Sequence, residues 1–354
     1  MSILPAGFGH TMREALHLVK ARDPMAATRV IREALSGAQP ARSTPGPAKP
    51  AQPAKPRAGL GATIEGLLKT PTPARRPRPD DLGPGAFLSG DYVGAAGARA
   101  YKLYAPTTPA PAPDSRVIVM LHGCTQNPDD FAAGTRMNAV CEARGWYALY
   151  PEQTKAANFN RCWNWFAPGD QSAQRGEPAI LAAMTRKVMA DHGLRHASVA
   201  GLSAGAAMAM ILGDVDPELF DSVLAHSGLA AGAAHDLPSA LAAMRSGPAD
   251  LPARPYGPRV MIVQGMDDKT VAPRNADAIE AAIKGLRLAR SSVDEDEGRA
   301  VDRREYHDDT GRLAVLSLRV DGLGHAWSGG SEAGTYADPR GPDASSAFAR
   351  FVAG

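Results

Sequence analysis

The sequence predicts a three-layer α/β sandwich with a mostly parallel central sheet, and two patterns support this fold class. Short apolar runs, such as RVIVML at 116–121, are typical of parallel strands that are covered on both faces. Segments with helical patterning, such as 177–192, alternate with these runs along the chain. Strands that alternate with helices favour a parallel sheet with helices packed on both of its faces.

The predicted elements follow one another through most of the chain. We expect the ordered region to begin near Phe87. Predicted strands cover 99–104, 116–121, 146–150, 197–202, 222–226 and 259–264, and a closing hairpin joins 303–308 to 314–320. Predicted helices cover 128–144, 177–192, 273–286 and 344–352.

The first 84 residues differ in composition from the rest of the chain. Residues 1–37 predict a short helical hairpin, since Thr11 and Glu14 fit a capping box at the start of its first helix. Residues 38–84 are rich in proline and alanine and predict a basic, largely disordered linker. The folded domain is therefore expected to span residues 85–354.

The bulk composition excludes several classes of protein. The net charge is only +2, which gives no reason to expect a nucleic-acid partner, and no apolar run is long enough for a transmembrane helix. The first twenty residues lack the pattern of a secretory signal. These features predict a cytoplasmic location, with secretion by a signal-independent route as the alternative. No metal-ligand cluster or phosphate-binding loop stands out, so no metal or cofactor is expected.

Chemically active residues follow three of the predicted strands. Ser203 lies in GLSAG directly after 197–202, Asp267 and Asp268 follow 259–264, and His325 follows 314–320. Ligands bind at the carboxyl ends of the strands in sheets of this class. Serine, then aspartate, then histidine is the chain order of the α/β-hydrolase triad.

Residues of these types in this order would suit ester hydrolysis. Ser203 would be the nucleophile and His325 the base that takes its proton. Asp267 or Asp268 would orient the imidazole, and spacing alone leaves this choice open. The backbone amides of Cys124 and Ala204 are expected to form the oxyanion hole. A packing turn without chemistry is the alternative interpretation of GLSAG.

Six ordered segments together resemble the poly(3-hydroxybutyrate) depolymerase family of esterases, over roughly residues 85–354. They are LHGCTQN at 121–127, RCWNWF at 161–166, GLSAGAAMA at 201–209, GMDDKTV at 265–271, GHAWSGG at 324–330 and DPRGPDAS at 338–345. The family's catalytic acid commonly lies in an H-G-x-x-D-x-x-V pattern. Gln264 replaces that histidine here, but Gly265, Asp268 and Val271 keep the spacing, so the resemblance favours Asp268 over Asp267.

The resemblance implies a carboxylesterase that hydrolyses short-side-chain polyhydroxyalkanoates, as polyester or oligomers, through an acyl-enzyme. A feruloyl or acetyl-xylan type of esterase, or another short-acyl esterase, is the alternative within the same class. A binding module without catalysis is the alternative outside it. The basic segment 1–80 has 13 Lys and Arg against 5 Asp and Glu. It either docks the enzyme to a granule, a membrane surface or a protein partner, or has no function.

Further residues near the expected site have two interpretations each. Cys124 and Cys162 either form a disulfide that ties the oxyanion loop to the RCWNWF loop, or are two buried free thiols. Four residues in loops at the catalytic end are expected to bind substrate in an apolar cleft: His122, Trp163, Trp165 and Trp327. Core packing is the alternative for each of the tryptophans.

Overall fold

A computed structural model describes residues 77–251 and 257–354 of the 354-residue chain. The predicted hairpin over 1–37, most of the linker, and all of the predicted docking segment except 77–80 lie outside these residues. Residues 77–84, which the sequence assigns to the linker, hold a 3-10 helix at Pro79–Leu82. Asn138 Nδ2 donates to the Leu82 carbonyl at 2.9 Å, so this stretch contacts the domain directly.

Ten strands form one sheet, and its six central strands are parallel, which confirms the predicted fold class. In chain order, β1 to β10 are Ala86–Gly94, Gly97–Ala105, Arg116–Leu121, Tyr147–Pro151, His196–Leu202, Phe220–His226, Arg259–Gly265, Arg287–Asp296, Arg299–His307 and Leu313–Val320. Their spatial order is β1-β2-β4-β3-β5-β6-β7-β10-β9-β8, with antiparallel pairs at both ends.

Seven α-helices accompany the sheet in the described part of the chain. In chain order, α1 to α7 are Pro128–Thr135, Met137–Arg144, Gly176–His192, Ala204–Val215, Leu237–Ser246, Arg274–Ala282 and Ala344–Ala353. Buried side chains of α3, α4 and α5 share one apolar cluster with the sheet. Those of α1, α2 and α7 share another, so apolar layers cover both faces of the sheet. Within the described residues, no helix is long and apolar enough to cross a membrane.

The single helix predicted over 128–144 is interrupted at Arg136, which has φ 56° and separates α1 from α2. The carbonyl of Gly134 accepts a hydrogen bond from Ser331 N at 2.8 Å. That contact uses an acceptor which a continuous helix would give to the amide four residues later. The predicted helix boundary was therefore wrong, because Ser331, in a loop nearly 200 residues later in the chain, bonds to a carbonyl that a continuous helix would use.

The helix predicted over 273–286 is also shorter than expected. Helix α6 ends at Ala282, and strand β8, which the sequence analysis missed, begins at Arg287. The sequence RLARSSVDED has no apolar alternation, because nine of its ten residues are exposed. Alternation of apolar and polar residues predicts strands that bury one face, and β8 buries neither.

Candidate active site

A sharp turn between β5 and α4 carries Ser203. Its backbone has φ 59° and ψ −120°, a region that non-glycine residues rarely adopt. A Cβ atom added to Gly201 would lie 2.3 Å from the carbonyl carbon of Gly205, and one added to Gly205 would lie 2.0 Å from the carbonyl oxygen of Leu121. Glycine is therefore required on both sides of the serine, since only glycine lets the backbones approach this closely.

Asp268 and His325 lie in the loops that follow β7 and β10, and their side chains meet. His325 Nδ1 is 2.7 Å from Asp268 Oδ2. The other carboxylate oxygen of Asp268 accepts hydrogen bonds from the amides of Thr270 and Val271, both at 2.8 Å. Asp267, the other acid that spacing left open, is exposed, and its amide donates to the Leu323 carbonyl. Asp268 is thus the acid that contacts the histidine.

The Asp268 carboxylate is kept ionised by its neighbours. Burial on its own raises the pKa of this carboxyl, but the hydrogen bond and charge of His325 and the two backbone amides oppose it. The net result is a pKa below the ordinary value. A buried anion that is paired in this way fixes the ring orientation of His325 and favours a proton on Nδ1.

Ser203 lines an apolar cavity and is 7% exposed. Within residues 77–251 and 257–354, neither its hydroxyl nor Nε2 of His325 takes part in a hydrogen bond, so the serine–histidine contact is not formed in this structure. Such contacts are often long without substrate and tighten in the complex. The walls of the cavity are apolar and include Trp165, Phe166, Leu237 and Met244.

Two backbone amides beside Ser203 are available to a ligand. The amide of Ala204 is the first of α4, and the amide of Cys124 lies in the turn after β3. Neither donates a hydrogen bond to another described residue, and both residues line the cavity. Donors at a helix N-terminus and in a tight turn are suited to binding a developing negative charge.

The turn that holds Cys124 is fastened to the loop over 158–166. Cys124 and Cys162 form a disulfide. Thr125 N donates to the Asn160 carbonyl at 2.7 Å, and Trp163 Nε1 donates to the His122 carbonyl at 3.0 Å. One covalent bond and two hydrogen bonds therefore fix the position of the Cys124 amide.

A buried carboxylate, which the sequence analysis missed, supports that loop from behind. Glu177 on α3 accepts hydrogen bonds from the backbone amide of Asn164 at 2.7 Å and from the side chain of Gln153. Gln153 Nε2 also donates to the Cys162 carbonyl at 3.0 Å. Burial raises the pKa of Glu177. No sequence pattern identifies this role, because the contacts join residues from separate elements.

The predicted substrate-binding residues divide into two groups. Trp165 lines the cavity, whereas His122, Trp163 and Trp327 are buried in the interior, each at most 1% exposed. Trp327 Nε1 donates to Ser345 Oγ at 3.2 Å. His122 Nε2 accepts from the Gln153 amide at 3.2 Å, and burial lowers the pKa of His122 to about 4. These three side chains therefore pack behind the site and do not face the cavity.

His226, at the end of β6, connects the serine turn to the histidine loop. Its carbonyl accepts a hydrogen bond from Ser203 N at 3.0 Å, and its Nε2 accepts one from Ser328 N at 2.9 Å. The ring stacks on Trp327 with centroids 5.0 Å apart. Burial, with a smaller contribution from the charge of His325, lowers the pKa of His226 to about 3. The imidazole therefore stays neutral and keeps Nε2 as an acceptor.

Among the described residues, no group of three or more His, Cys, Asp or Glu side chains could hold a metal ion. A serine hydroxyl, a histidine paired with a carboxylate and two backbone amide donors are groups suited to nucleophilic attack on a carbonyl.

Comparison with known proteins places these features in a family. The sequence pattern of the family described as Esterase PHB depolymerase matches residues 99–306, which is more than half of the chain. Poly(3-hydroxyalkanoate) depolymerase C of Paucimonas lemoignei is 30% identical over 247 residues, or 65% of this chain and 57% of that protein. Feruloyl esterase B of Neurospora crassa is 29% identical over 129 residues, or 34% of this chain and 43% of that protein. The chain thus spans about half the length of these curated relatives.

Among solved structures, the acetyl xylan esterase from Aspergillus awamori has a similar fold. The TM-score is 0.56 at 18% sequence identity, and the match covers 68% of this chain and 94% of that one. This likeness supports the α/β-hydrolase fold.

Proposed function

Because the chain belongs to the PHB depolymerase family of esterases, we propose that it hydrolyses esters of short-side-chain 3-hydroxyalkanoates, as oligomers or polyester. The observation that carries the proposal is the 2.7 Å contact between Asp268 Oδ2 and His325 Nδ1. It lies at the carboxyl ends of the parallel strands, where the turn of Ser203 also lies. Ser203, His325 and Asp268 then act as nucleophile, base and orienting acid.

The first half of the reaction forms an acyl-enzyme. The Ser203 hydroxyl attacks the ester carbonyl while its proton passes to Nε2 of His325, and the carbonyl oxygen becomes negative. The amides of Cys124 and Ala204 donate to that oxygen. When the tetrahedral intermediate collapses, the bond to the leaving alcohol breaks and His325 returns the proton to this alcohol.

The second half releases the acid. A water molecule gives a proton to His325 and attacks the acyl-enzyme carbonyl, and the same two amides stabilise the second oxyanion. Collapse breaks the bond to Ser203, which regains its proton from His325. Asp268 stays ionised throughout and stabilises the imidazolium in both halves, as its lowered pKa favours.

The cavity beside Ser203 supports a substrate with a small apolar group. Its walls come mainly from apolar residues of α5 and of the loop after Trp163. A cavity of this kind binds an acyl chain through its methyl and methylene groups and offers no charged partner.

Turnover on four substrate sets tests this proposal: hydroxybutyrate oligomers, amorphous polymer, feruloyl esters and p-nitrophenyl acyl esters of increasing length. We expect turnover of the oligomers and a preference for short acyl chains. Activity on feruloyl or acetylated sugar esters without activity on hydroxybutyrate oligomers would favour the second candidate, which the similarity to feruloyl esterase B supports. Mass spectrometry of the enzyme mixed with a slow substrate should detect the acyl group on Ser203.

The Leu237→Ala variant is expected to weaken binding of longer acyl chains. Leu237 is 38% exposed and lines the cavity at the start of α5. Removing this apolar contact should lower kcat/KM for p-nitrophenyl butyrate, relative to the acetate, by about tenfold, or about 1.4 kcal/mol. The matched control is Leu88→Ala, at a leucine 52% exposed on the outer strand β1. Equal losses for both esters, or for both variants, would contradict the assignment of the cavity.

Two variants of His226 test its positioning role. In His226→Leu the buried amide of Ser328 loses its acceptor, so the loop that carries His325 should loosen, and we expect kcat to fall by about tenfold to a hundredfold. In His226→Gln an amide oxygen can replace Nε2, so most of the rate should return. Both are to be measured well below the unfolding temperature of each variant. A similar kcat for His226→Leu and the wild type would refute the role.

A further inference from the structure

One edge of the central sheet is the exposed strand β8. Among the described strands it is the last in the spatial order, and it pairs there with β9 alone. Nine of its ten residues are exposed, including Val293 at 72% and Leu288 at 51%. A long edge of this kind presents unpaired backbone donors and acceptors to another strand.

A bulge places four of the five charged residues of β8 on one face of the strand. In the pairing with β9, Leu288 lies opposite Tyr306 and Arg290 lies opposite Glu305, so Ala289 is an additional residue. Residues paired across strands point to the same face, and neighbours along a strand alternate. The bulge therefore brings Arg287 onto the same face as Arg290. This face carries, in order along the strand, Arg287, Arg290, Ser292, Asp294 and Asp296.

This face thus changes from basic to acidic about Ser292. Within the described part of the chain, none of its four charged side chains forms an ion pair, and the one side-chain partner present is Ser292 Oγ, which donates to Asp294 at 2.8 Å. The charges are therefore available to a partner whose charges run in the opposite direction.

We propose that β8 pairs antiparallel with β8 of a second copy of this chain, about a two-fold axis at Ser292. An axis perpendicular to the sheet keeps each face on its own side and places Ser292 opposite Ser292. Arg290 then lies opposite Asp294 of the other copy. Because the bulge leaves Ala289 out of the ladder, Arg287 is four ladder positions from Ser292 and lies opposite Asp296. Symmetry repeats both contacts, so every charge on this face gains a partner, and the two sheets become continuous.

The alternative purpose of charges on an edge strand is to prevent pairing. Edges protected in this way repel a second copy, since like charges meet when the strands align. The arrangement in β8 does the reverse, because antiparallel alignment about Ser292 opposes unlike charges at each position. A partner with a uniform charge would match only half of the strand, which favours a second copy.

Two complementary variants of the full chain test the proposal by analytical ultracentrifugation. Arg287→Glu/Arg290→Glu makes the face wholly acidic, and Asp294→Lys/Asp296→Lys makes it wholly basic. We expect the wild type to dimerise with rising concentration and the dimer to weaken with rising salt, because salt screens exposed charges. Each variant alone should remain monomeric, and an equimolar mixture of the two should restore the dimer.

The control variant is Arg175→Glu/Arg195→Glu, at two exposed arginines outside β8. It changes the net charge as Arg287→Glu/Arg290→Glu does, and it should dimerise as the wild type does. Since the charges of β8 lie outside the cavity, ester hydrolysis by each variant reports correct folding. A wild type that stays monomeric up to its solubility limit would overturn the proposal. So would charge variants that still dimerise alone, or a mixture that stays monomeric.

Discussion

Replacing Ser203 with alanine is expected to lower kcat for ester hydrolysis by about a millionfold, because the nucleophile and base of a serine triad act as a unit. The residual rate would come from the amides of Cys124 and Ala204 and from substrate binding. A loss of this size separates nucleophilic catalysis from a structural role for the turn, which would change the rate only through stability. The measurement is kcat on a short p-nitrophenyl ester with protein purified away from host esterases.

The control is the fold of the same variant. Alanine at position 203 keeps the backbone conformation and removes only one oxygen atom, so the thermal unfolding midpoint should stay close to that of the wild type. Loss of covalent labelling by a fluorophosphonate probe should accompany the loss of activity. Retained hydrolysis in a folded, unlabelled variant would show that another residue attacks the ester.

Replacing Gly205 with alanine should destabilise the protein strongly. The new Cβ would lie 2.0 Å from the carbonyl oxygen of Leu121 and 2.7 Å from that of His122, and backbone atoms cannot move aside as a flexible side chain can. We expect a loss of about 3 kcal/mol or more in the free energy of unfolding. The direction of the change is diagnostic, because replacing glycine with alanine in an uncrowded helix raises the free energy of unfolding by about 0.5–1 kcal/mol.

Denaturant unfolding of Gly205→Ala should be compared with that of Gly169→Ala, where an added Cβ meets nothing within 4 Å. Gly169→Ala should leave the free energy of unfolding almost unchanged. The partly folded or rearranged Gly205→Ala protein should also lose activity, because Leu121 and His122 lead directly into the turn of Cys124. Equal stability of the two variants would mean that the elbow does not depend on close contact between α4 and β3.

Sequence patterns predicted the features of the fold that depend on burial. The central strands, such as β3, are covered on both faces and appear in the sequence as continuous apolar runs. Their order predicted that Ser203, Asp268 and His325 lie together at the carboxyl ends of the parallel strands. Patterns failed where long-range contacts decide. Arg136 interrupts a predicted helix because Ser331 takes a carbonyl, and β8 shows no alternation because neither of its faces is buried.

The substrate-binding prediction illustrates a similar limit within the site. Tryptophans in neighbouring loops have the same sequence signal whether they face a cavity or the core. Trp165 lines the cavity, while the indole nitrogens of Trp163 and Trp327 bond to the His122 carbonyl and to Ser345 Oγ. Only these contacts from other elements separate the two cases. The choice between Asp267 and Asp268 likewise required the position of His325.

The position of β10 in the sheet has a consequence for protein synthesis. β10 pairs with β7, and the amide of Asp267 bonds to the Leu323 carbonyl just beyond β10. The turns of Ser203 and Cys124 follow strands made much earlier, but His325 reaches Asp268 only once β10 has docked. Domains complete their folding after the ribosome has released enough chain. A nascent chain that already contains Ser203 would therefore remain inert until the residues through His325 have emerged and β10 has docked, and ester hydrolysis would mark that stage of folding.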